Sequence, residues 1–356
     1  MKERTILHID LNNFFASVEQ IRDPRLQGKA IAVCGDAEKR KGIVLAKSEQ
    51  AKKCGVKTGD AIWMAQQKCP GIIIIQPNHD EYDHYSKLVQ EIYYRFTDRV
   101  ESFGLDECWL DVTRSWRLFG DGTQIAEKIR QTIRDELGLT VSIGVSWNKT
   151  FAKIGSDLKK PDAVTVITRE NFRNAIHPLP VSDMLYVGRK TVKLFEKLNI
   201  RTIGDLAVFD EKLLCGFIGI MATKLIRMAK GECDEPVAVF TDKQDVKSVG
   251  NGSTAVEDLK TLEQVKKHIY PIIKKLTNRM MNKNVKGTTI SVSIRFFDLK
   301  WIGAQRSINS PTDSATIVFD ESLKVISELW DGKKPIRAIR VAVSNLVGAG
   351  MTQLQM

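Results

Sequence analysis

The sequence has no long hydrophobic run, no closely spaced cysteine pair and little proline, and each lack excludes something. Its strongest apolar run, Ile72–Ile75, is four residues long, far short of the roughly 18–20 that a membrane-crossing helix needs. The start, MKERTILHID, turns polar again by Asp10, so it lacks the apolar core of a secretory signal. A membrane or secreted protein is therefore not expected, and a cytoplasmic one is. The six cysteines (34, 54, 69, 108, 215 and 233) form no C-x-x-C pair and no zinc-like spacing, and read as reduced thiols. Proline supplies 10 and glycine 24 of the 356 residues, too few for a disordered chain. Neither internal repeats nor low-complexity tracts occur.

What is present in excess is positive charge. The formal net charge is +11, and residues 241–356 hold 18 basic against 11 acidic groups. Cations concentrated in the last third point to a polyanionic partner, nucleic acid first, because phosphate neutralisation rewards clustered Lys and Arg.

Periodicity predicts a first, mixed α/β region. Strands are expected at Thr5–Asp10, Ala30–Val33, Ile43–Ala46, Ile72–Gln76, Val141–Ser146 and Val164–Thr168, with hairpin arms at Val100–Phe103 and Cys108–Val112. Helices are expected over Phe14–Arg22, Ser48–Lys53, Asp60–Lys68, Asp80–Thr97, Gly122–Leu137 and Lys149–Leu158. Residues 169–235 read as mostly helical, and Thr241–Lys247 as a linker. The remainder reads β-α-β-β-α-β: strand Lys247–Ser253, helix Leu262–Met281, strands Thr288–Phe296 and Trp301–Ile308, helix Glu321–Leu329 and strand Ile336–Val343. Ile290, Val292, Ile294 and Phe296 alternate with Ser291, Ser293 and Arg295. The second set suits either a phosphate backbone or plain solvent.

Three carboxylates stand out. Asp10 ends the first strand, and Asp106-Glu107 sits at the hairpin tip in SFGLDECWLDV. Singly, Asp10 could cap a helix and Asp106-Glu107 could fill a turn. Together, at adjacent strand ends, they would repel one another unless hard divalent cations neutralise them, and two such ions serve in-line displacement at phosphorus.

HIDLNNFFASVE, LDECWLDVT and NKTFAKIGSDLKKPDA, in that order, resemble the Y family of translesion DNA polymerases, nearest the bacterial DinB group with UmuC-like features in the fingers. The resemblance runs from residue 5 to about 345. It implies an α+β right hand: a palm with a ferredoxin-like mixed sheet (1–12 and 79–168), small fingers (13–78), a helical thumb (169–235), a linker (236–245), a β-α-β-β-α-β little finger (246–345) and a tail (346–356).

Carried over residue by residue, Asp10, Asp106, Glu107 and the Leu11 carbonyl match the metal-binding positions, implying two Mg²⁺ ions with Mn²⁺ as a substitute. Phe15 matches the steric gate against a ribose 2′-hydroxyl, while Phe14 reads as a core residue. Asn13, Phe14 and Phe15 at a helix start, with Lys52 and Lys160, match the nucleotide-binding positions; free N–H groups there favour anions. In the fingers Ala46 and Glu49 depart from the family's Thr and Tyr, and Lys52 replaces an Arg. Ile43 and Gly59 match a small roof over the nascent base pair. LYVGRKTVKLFEKLNIRTIGDLA resembles a helix-hairpin-helix in which Gly188, Lys190 and Lys193 would meet a DNA phosphate, although the second glycine is missing; a purely structural hairpin is the alternative. Ser291, Ser293, Arg295 and Arg340 are the expected little-finger contacts.

The resemblance implies a low-fidelity, template-directed DNA polymerase without proofreading, monomeric and near the nucleoid, acting on primer–template DNA and dNTPs. Gln353, Leu354 and Met356 resemble the start of a sliding-clamp tail or a frayed end. The alternatives are a non-catalytic DNA-binding relative and a nucleotide cyclase; the Gly104–Cys108 turn lacks the cyclase signature.

Overall fold

The computed structural model describes residues 3–36, 42–239 and 246–348. The chain divides into two compact units, Met1–Val33 with Val44–Lys243, and Cys34–Ile43 with Gln244–Met356.

In the first unit, β1 (Ile6–Leu11) leads into α1 (Phe14–Arg22). Strands β2 (Ile31–Cys34), β3 (Val44–Lys47) and β4 (Ile73–Ile75) form a small sheet of order β3-β2-β4, with α2 (Glu49–Lys53) and α3 (Ile62–Lys68) between its last two strands in sequence. Then come α4 (His79–Tyr94), the hairpin β5 (Val100–Phe103) and β6 (Glu107–Asp111), α5 (Trp116–Phe119), α6 (Gly122–Leu137), β7 (Val141–Ser146), α7 (Lys149–Leu158) and β8 (Val164–Val166). The helices α8 (Phe172–Ala175), α9 (Arg189–Lys197), α10 (Ile203–Val208), α11 (Glu211–Ile218) and α12 (Met221–Lys230) follow, around a core of their own.

The main sheet runs β5-β6-β1-β7-β8. Its central strands β1 and β7 are buried at every residue, so their polar members His8, Asp10, Ser142 and Ser146 are enclosed with the apolar ones. Helix α7 packs directly on β7. A Cβ placed on Gly144 of β7 would lie 1.9 Å from the Ala152 carbonyl oxygen and 2.6 Å from the Ser156 nitrogen. Only glycine lets helix and strand approach so closely, and that approach fixes the height of α7 above the sheet. Gly144→Ala should therefore destabilise the protein by about 3 kcal/mol, at the upper end for forced overpacking. Chemical denaturation checks this; an unchanged midpoint would mean that the helix can retreat freely.

The second unit is built from β9 (Ser248–Leu259), α13 (Leu262–Asn282), β10 (Val285–Phe296), β11 (Trp301–Thr312), α14 (Ala315–Leu329) and β12 (Ile336–Gly348). The expected β-α-β-β-α-β order is present, in an antiparallel sheet β11-β10-β12-β9. Several elements outrun their expected ends. β9 continues past Ser253 because an irregularity opposite Ile336 and Ala338 lets Leu259 rejoin the ladder. β11 runs through Pro311, which an edge strand tolerates since no ladder bond is lost there. α14 begins at Ala315 because burial of Val318 overrides the weak helix propensity of Thr316, Ile317 and Val318. Ile290, Val292 and Ile294 are fully buried toward the helices. Their neighbours Ser291, Ser293 and Arg295 remain partly open on the other face. Among the described residues no helix is long and apolar enough to cross a membrane.

Candidate active site

The pairing of β1 with β6 places Asp10 directly opposite Glu107. At the last residue of β1 the Leu11 amide donates to the Asp106 carbonyl at 2.9 Å, so the turn holding Asp106 closes over the strand end. That turn needs Gly104, whose φ of 90° lies in the left-handed region. Asp10 and the sequence-distant pair Asp106-Glu107 thus share one end of the main sheet.

Cations from α7 and the segment after it face this end. Lys153 Nζ lies 2.7 Å from Glu107 Oε2, 3.6 Å from Asp10 Oδ2 and 3.3 Å from Asp157 Oδ2. Lys160 Nζ lies 2.7 Å from both Asp10 Oδ2 and Asp157 Oδ1. From below, the fully buried His8 spans 2.8 Å to Ser156 Oγ and 3.1 Å to Glu107 Oε2. The loop carrying Lys160 is anchored by the Asp162 amide donating to Asn12 Oδ1 at 2.8 Å. Asn12 is in turn fixed by donating to Ser142 Oγ, and Asp162 by Arg130 and Arg134.

These neighbours divide the three acids. Burial alone would push the Glu107 carboxyl up, but contacts with His8 and Lys153 outweigh it and hold it at about 2. Asp106 is pushed the other way, first by burial and then by the charges of Asp10 and Glu107; it forms no ion pair among the described residues. Burial works against the charge of Lys153 and Lys160, yet the surrounding carboxylates win and both ammoniums are held above their ordinary range.

Among the described residues no three His, Cys, Asp or Glu side chains stand as a ready metal cage. The donor set nevertheless suits a hard divalent cation: carboxylate oxygens at adjoining strand ends, with the proton affinity of Asp106 raised by burial and by the charges of Asp10 and Glu107.

Beside this end α1 begins at Phe14, after Asn13 in the left-handed conformation (φ 51°) and without a side-chain cap. Phe14 points into the core at 3% exposure. Phe15 is only partly buried and stacks on Tyr82, with centroids 4.1 Å apart and planes inclined by 11°. Tyr82 is itself locked by donating from its hydroxyl to Glu19 Oε1 at 2.6 Å. On α2, Lys52 is exposed, 3.7 Å from Glu49 Oε2, and Asn13 Nδ2 reaches the same oxygen at 3.4 Å. Ala46 packs against the first core. Ile43 is exposed, and Gly59 occupies a turn (φ 89°) whose amide donates to the Val44 carbonyl.

Sequence reasoning missed Lys153, Asp157, His8 and Tyr82. A signal existed for the first two: Lys153 and Asp157 are four apart on one helix, so they share a face.

The chain matches the impB/mucB/samB family over residues 9–157 and the C-terminal domain of that family over residues 246–356. It is 46% identical to the DNA polymerase IV of Acetivibrio thermocellus over 345 residues, covering 97% of this chain and 86% of that protein. It is 34% identical to DNA polymerase IV 1 of Bacillus subtilis, covering 97% and 83%. In structure it is similar to the Y-family DNA polymerase chimera Dbh-Dpo4(243-245)-Dbh, with a TM-score of 0.86 at 26% identity over 96% of this chain and 99% of that one. The chain belongs to the impB/mucB/samB family, the Y family of DNA polymerases.

In this Y-family chain the residues expected at DNA lie in two places. Gly188 is the N-cap of α9, without a side-chain cap, and Lys190 and Lys193 are exposed on that helix. In the C-terminal unit Ser293 and Arg340 are cross-strand partners, as are Ser291 with Ala342 and Arg295 with Ala338; all share the face turned from the helices. Gln353, Leu354 and Met356 of the expected clamp tail, and residues 240–245 of the linker, lie outside the described residues.

Proposed function

We propose that this chain is a translesion DNA polymerase, adding dNTPs to a primer 3′-hydroxyl under the direction of a template strand. The observation that carries it is the meeting at one end of the main sheet of Asp10, Asp106 and Glu107, two half-buried lysines and an uncapped helix start beside an aromatic ring. In this reading Asp10, Asp106, Glu107 and the Leu11 carbonyl hold two Mg²⁺ ions, or Mn²⁺ in their place, which supply Lewis-acid charge at the reacting phosphate.

The chain's own residues do the rest. Lys160 and Lys52, with the N–H groups at the start of α1, receive the triphosphate. Phe15, held flat by Tyr82, occupies the space a 2′-hydroxyl would need. Ile43 and Gly59 offer a small roof, consistent with tolerance of damaged templates. Gly188, Lys190 and Lys193, and the open face bearing Ser291, Ser293, Arg295 and Arg340, meet DNA phosphates. The main sheet and its helices serve as palm (1–12 and 79–168), 13–78 as fingers, 169–235 as thumb and 246–345 as little finger. The non-catalytic alternative is not favoured, since a scaffold has no use for three mutually repelling carboxylates. We include in the proposal a monomer at the nucleoid that touches a sliding clamp weakly through Gln353, Leu354 and Met356, supported by their sequence alone.

Primer extension tests the reading. Incorporation should require Mg²⁺ or Mn²⁺, stop on chelation with EDTA and follow the template base. Extension that persists in excess EDTA, or is absent with both metals, would overturn it.

A further inference from the structure

The β10–β11 hairpin carries a cluster that the function above does not use. Phe297, Leu299 and Trp301 are 54%, 52% and 48% exposed at its tip. Edge strands are usually blunted by charge rather than armed with an indole, and β11 is an edge strand.

Register shows where the indole lies. Trp301 is the cross-strand partner of Arg295, Arg295 of Ala338, and Ala338 of Thr254. Trp301 therefore belongs to the sheet's open face, in the row next to the one holding Ser293 and Arg340. The guanidinium carbon of Arg295 sits 5.8 Å from the ring centroid. Beside the ring is an open groove of about 440 Å³, with Gly252, Ala338 and Arg340 in its lining.

The neighbouring row is kept bare. A Cβ on Gly303 would come 2.8 Å from Ser293 Oγ, and one on Gly252 would come 2.9 Å from the Ile339 carbonyl oxygen. The result is a shallow floor with one aromatic wall. Two arginines stand over it, and neither row contains a carboxylate. Aromatic ring plus guanidinium over a flat floor is the chemistry that holds an unpaired nucleotide, base on ring and phosphate on cation. A protein partner would gain little from a floor of glycine, serine and alanine.

We propose that Trp301 is a stacking platform for an unpaired base of single-stranded DNA, with Arg295 and Arg340 taking the flanking phosphates. The proposal rests on the DNA-polymerase reading and adds to it a preference for DNA carrying a single-stranded stretch. The stack is open to every base because each has a π-face.

The test measures Kd by fluorescence anisotropy for two labelled DNAs, a primer–template with a 5′ template overhang and the same duplex made blunt. The proteins are the full chain and its Trp301→Ala, Trp301→Phe and Arg340→Ala variants. Trp301→Ala should weaken overhang binding about tenfold, as for loss of one stacked base, and leave the blunt duplex within about twofold. Trp301→Phe, which keeps a ring, should retain most of the preference and guards against misfolding. Arg340→Ala should weaken both DNAs and lower the slope of log K against log salt by about 0.9. An unchanged overhang Kd in Trp301→Ala, or equal losses on both DNAs, would overturn the stacking role. Failure of the full chain to bind either DNA would instead overturn the polymerase reading.

Discussion

Asp106→Ala abolishes nucleotide incorporation and leaves the fold intact or slightly firmer. The activity loss should reach roughly 10³-fold or more, the scale of removing a preorganised charge-stabilising group. The stability forecast follows from its surroundings. Burial and the charges of Asp10 and Glu107 raise its proton affinity, so the folded state disfavours the charged carboxylate at neutral pH and gains when it is removed. Glu107→Ala should lose activity equally but melt earlier, because it removes the nearest carboxylate partner of Lys153 and the one beside the fully buried His8. Single-turnover primer extension together with thermal denaturation in EDTA separates the two. If both variants melt alike, the division of charge between the two acids is wrong; if Asp106→Ala extends primers normally, it holds no catalytic metal.

Sugar discrimination should collapse in Phe15→Ala. The ring is presented face-on against Tyr82, which is fixed by Glu19, so it cannot yield to a 2′-hydroxyl as a mobile side chain would. Its removal should lower the ratio of kcat/KM for dCTP over rCTP opposite a template G by about 10²-fold, near the limit of what shape exclusion supplies. Phe14→Ala, one residue earlier, should leave that ratio alone and cost about 3–5 kcal/mol of stability, because Phe14 is a core residue. Steady-state kinetics with both nucleotides, set beside urea denaturation, reads out the pair. Equal ratios in wild type and Phe15→Ala would place the gate elsewhere.

Much of this was legible in the sequence, and the reasons are specific. Asp10 could be found because an apolar strand breaks at a carboxylate. Asp106 and Glu107 stood out because two acids interrupt the apolar arms of a hairpin. Phe14 and Phe15 could be told apart because the family resemblance, counted on from Asp10, places the gate at Phe15 and leaves Phe14 to the core. Lys153 was passed over, since Phe151 and Ile154 dominate the pattern of α7 and mark it as an ordinary amphipathic helix. Its reach to Glu107 depends on the approach of α7 to β7 at Gly144, a tertiary contact that no local pattern encodes. Tyr82 was hidden for the same reason, being a buried aromatic on α4 whose stacking partner is 67 residues away. In the C-terminal unit alternation identified β10 and its two faces, while the irregularity in β9 and the proline in β11 disguised the true strand lengths.

The bare rows of that sheet carry a further consequence for movement. A face of glycine, serine, alanine and threonine, with arginines aimed at phosphate and an indole that stacks on any base, has nothing with which to distinguish one duplex sequence from another. On the polymerase reading, the energy of holding DNA is then nearly the same at every register. Such a level landscape means that a forward step of one nucleotide neither gains nor loses grip. The direction of travel comes from the nucleotide just added, and the hold itself favours no position along the template.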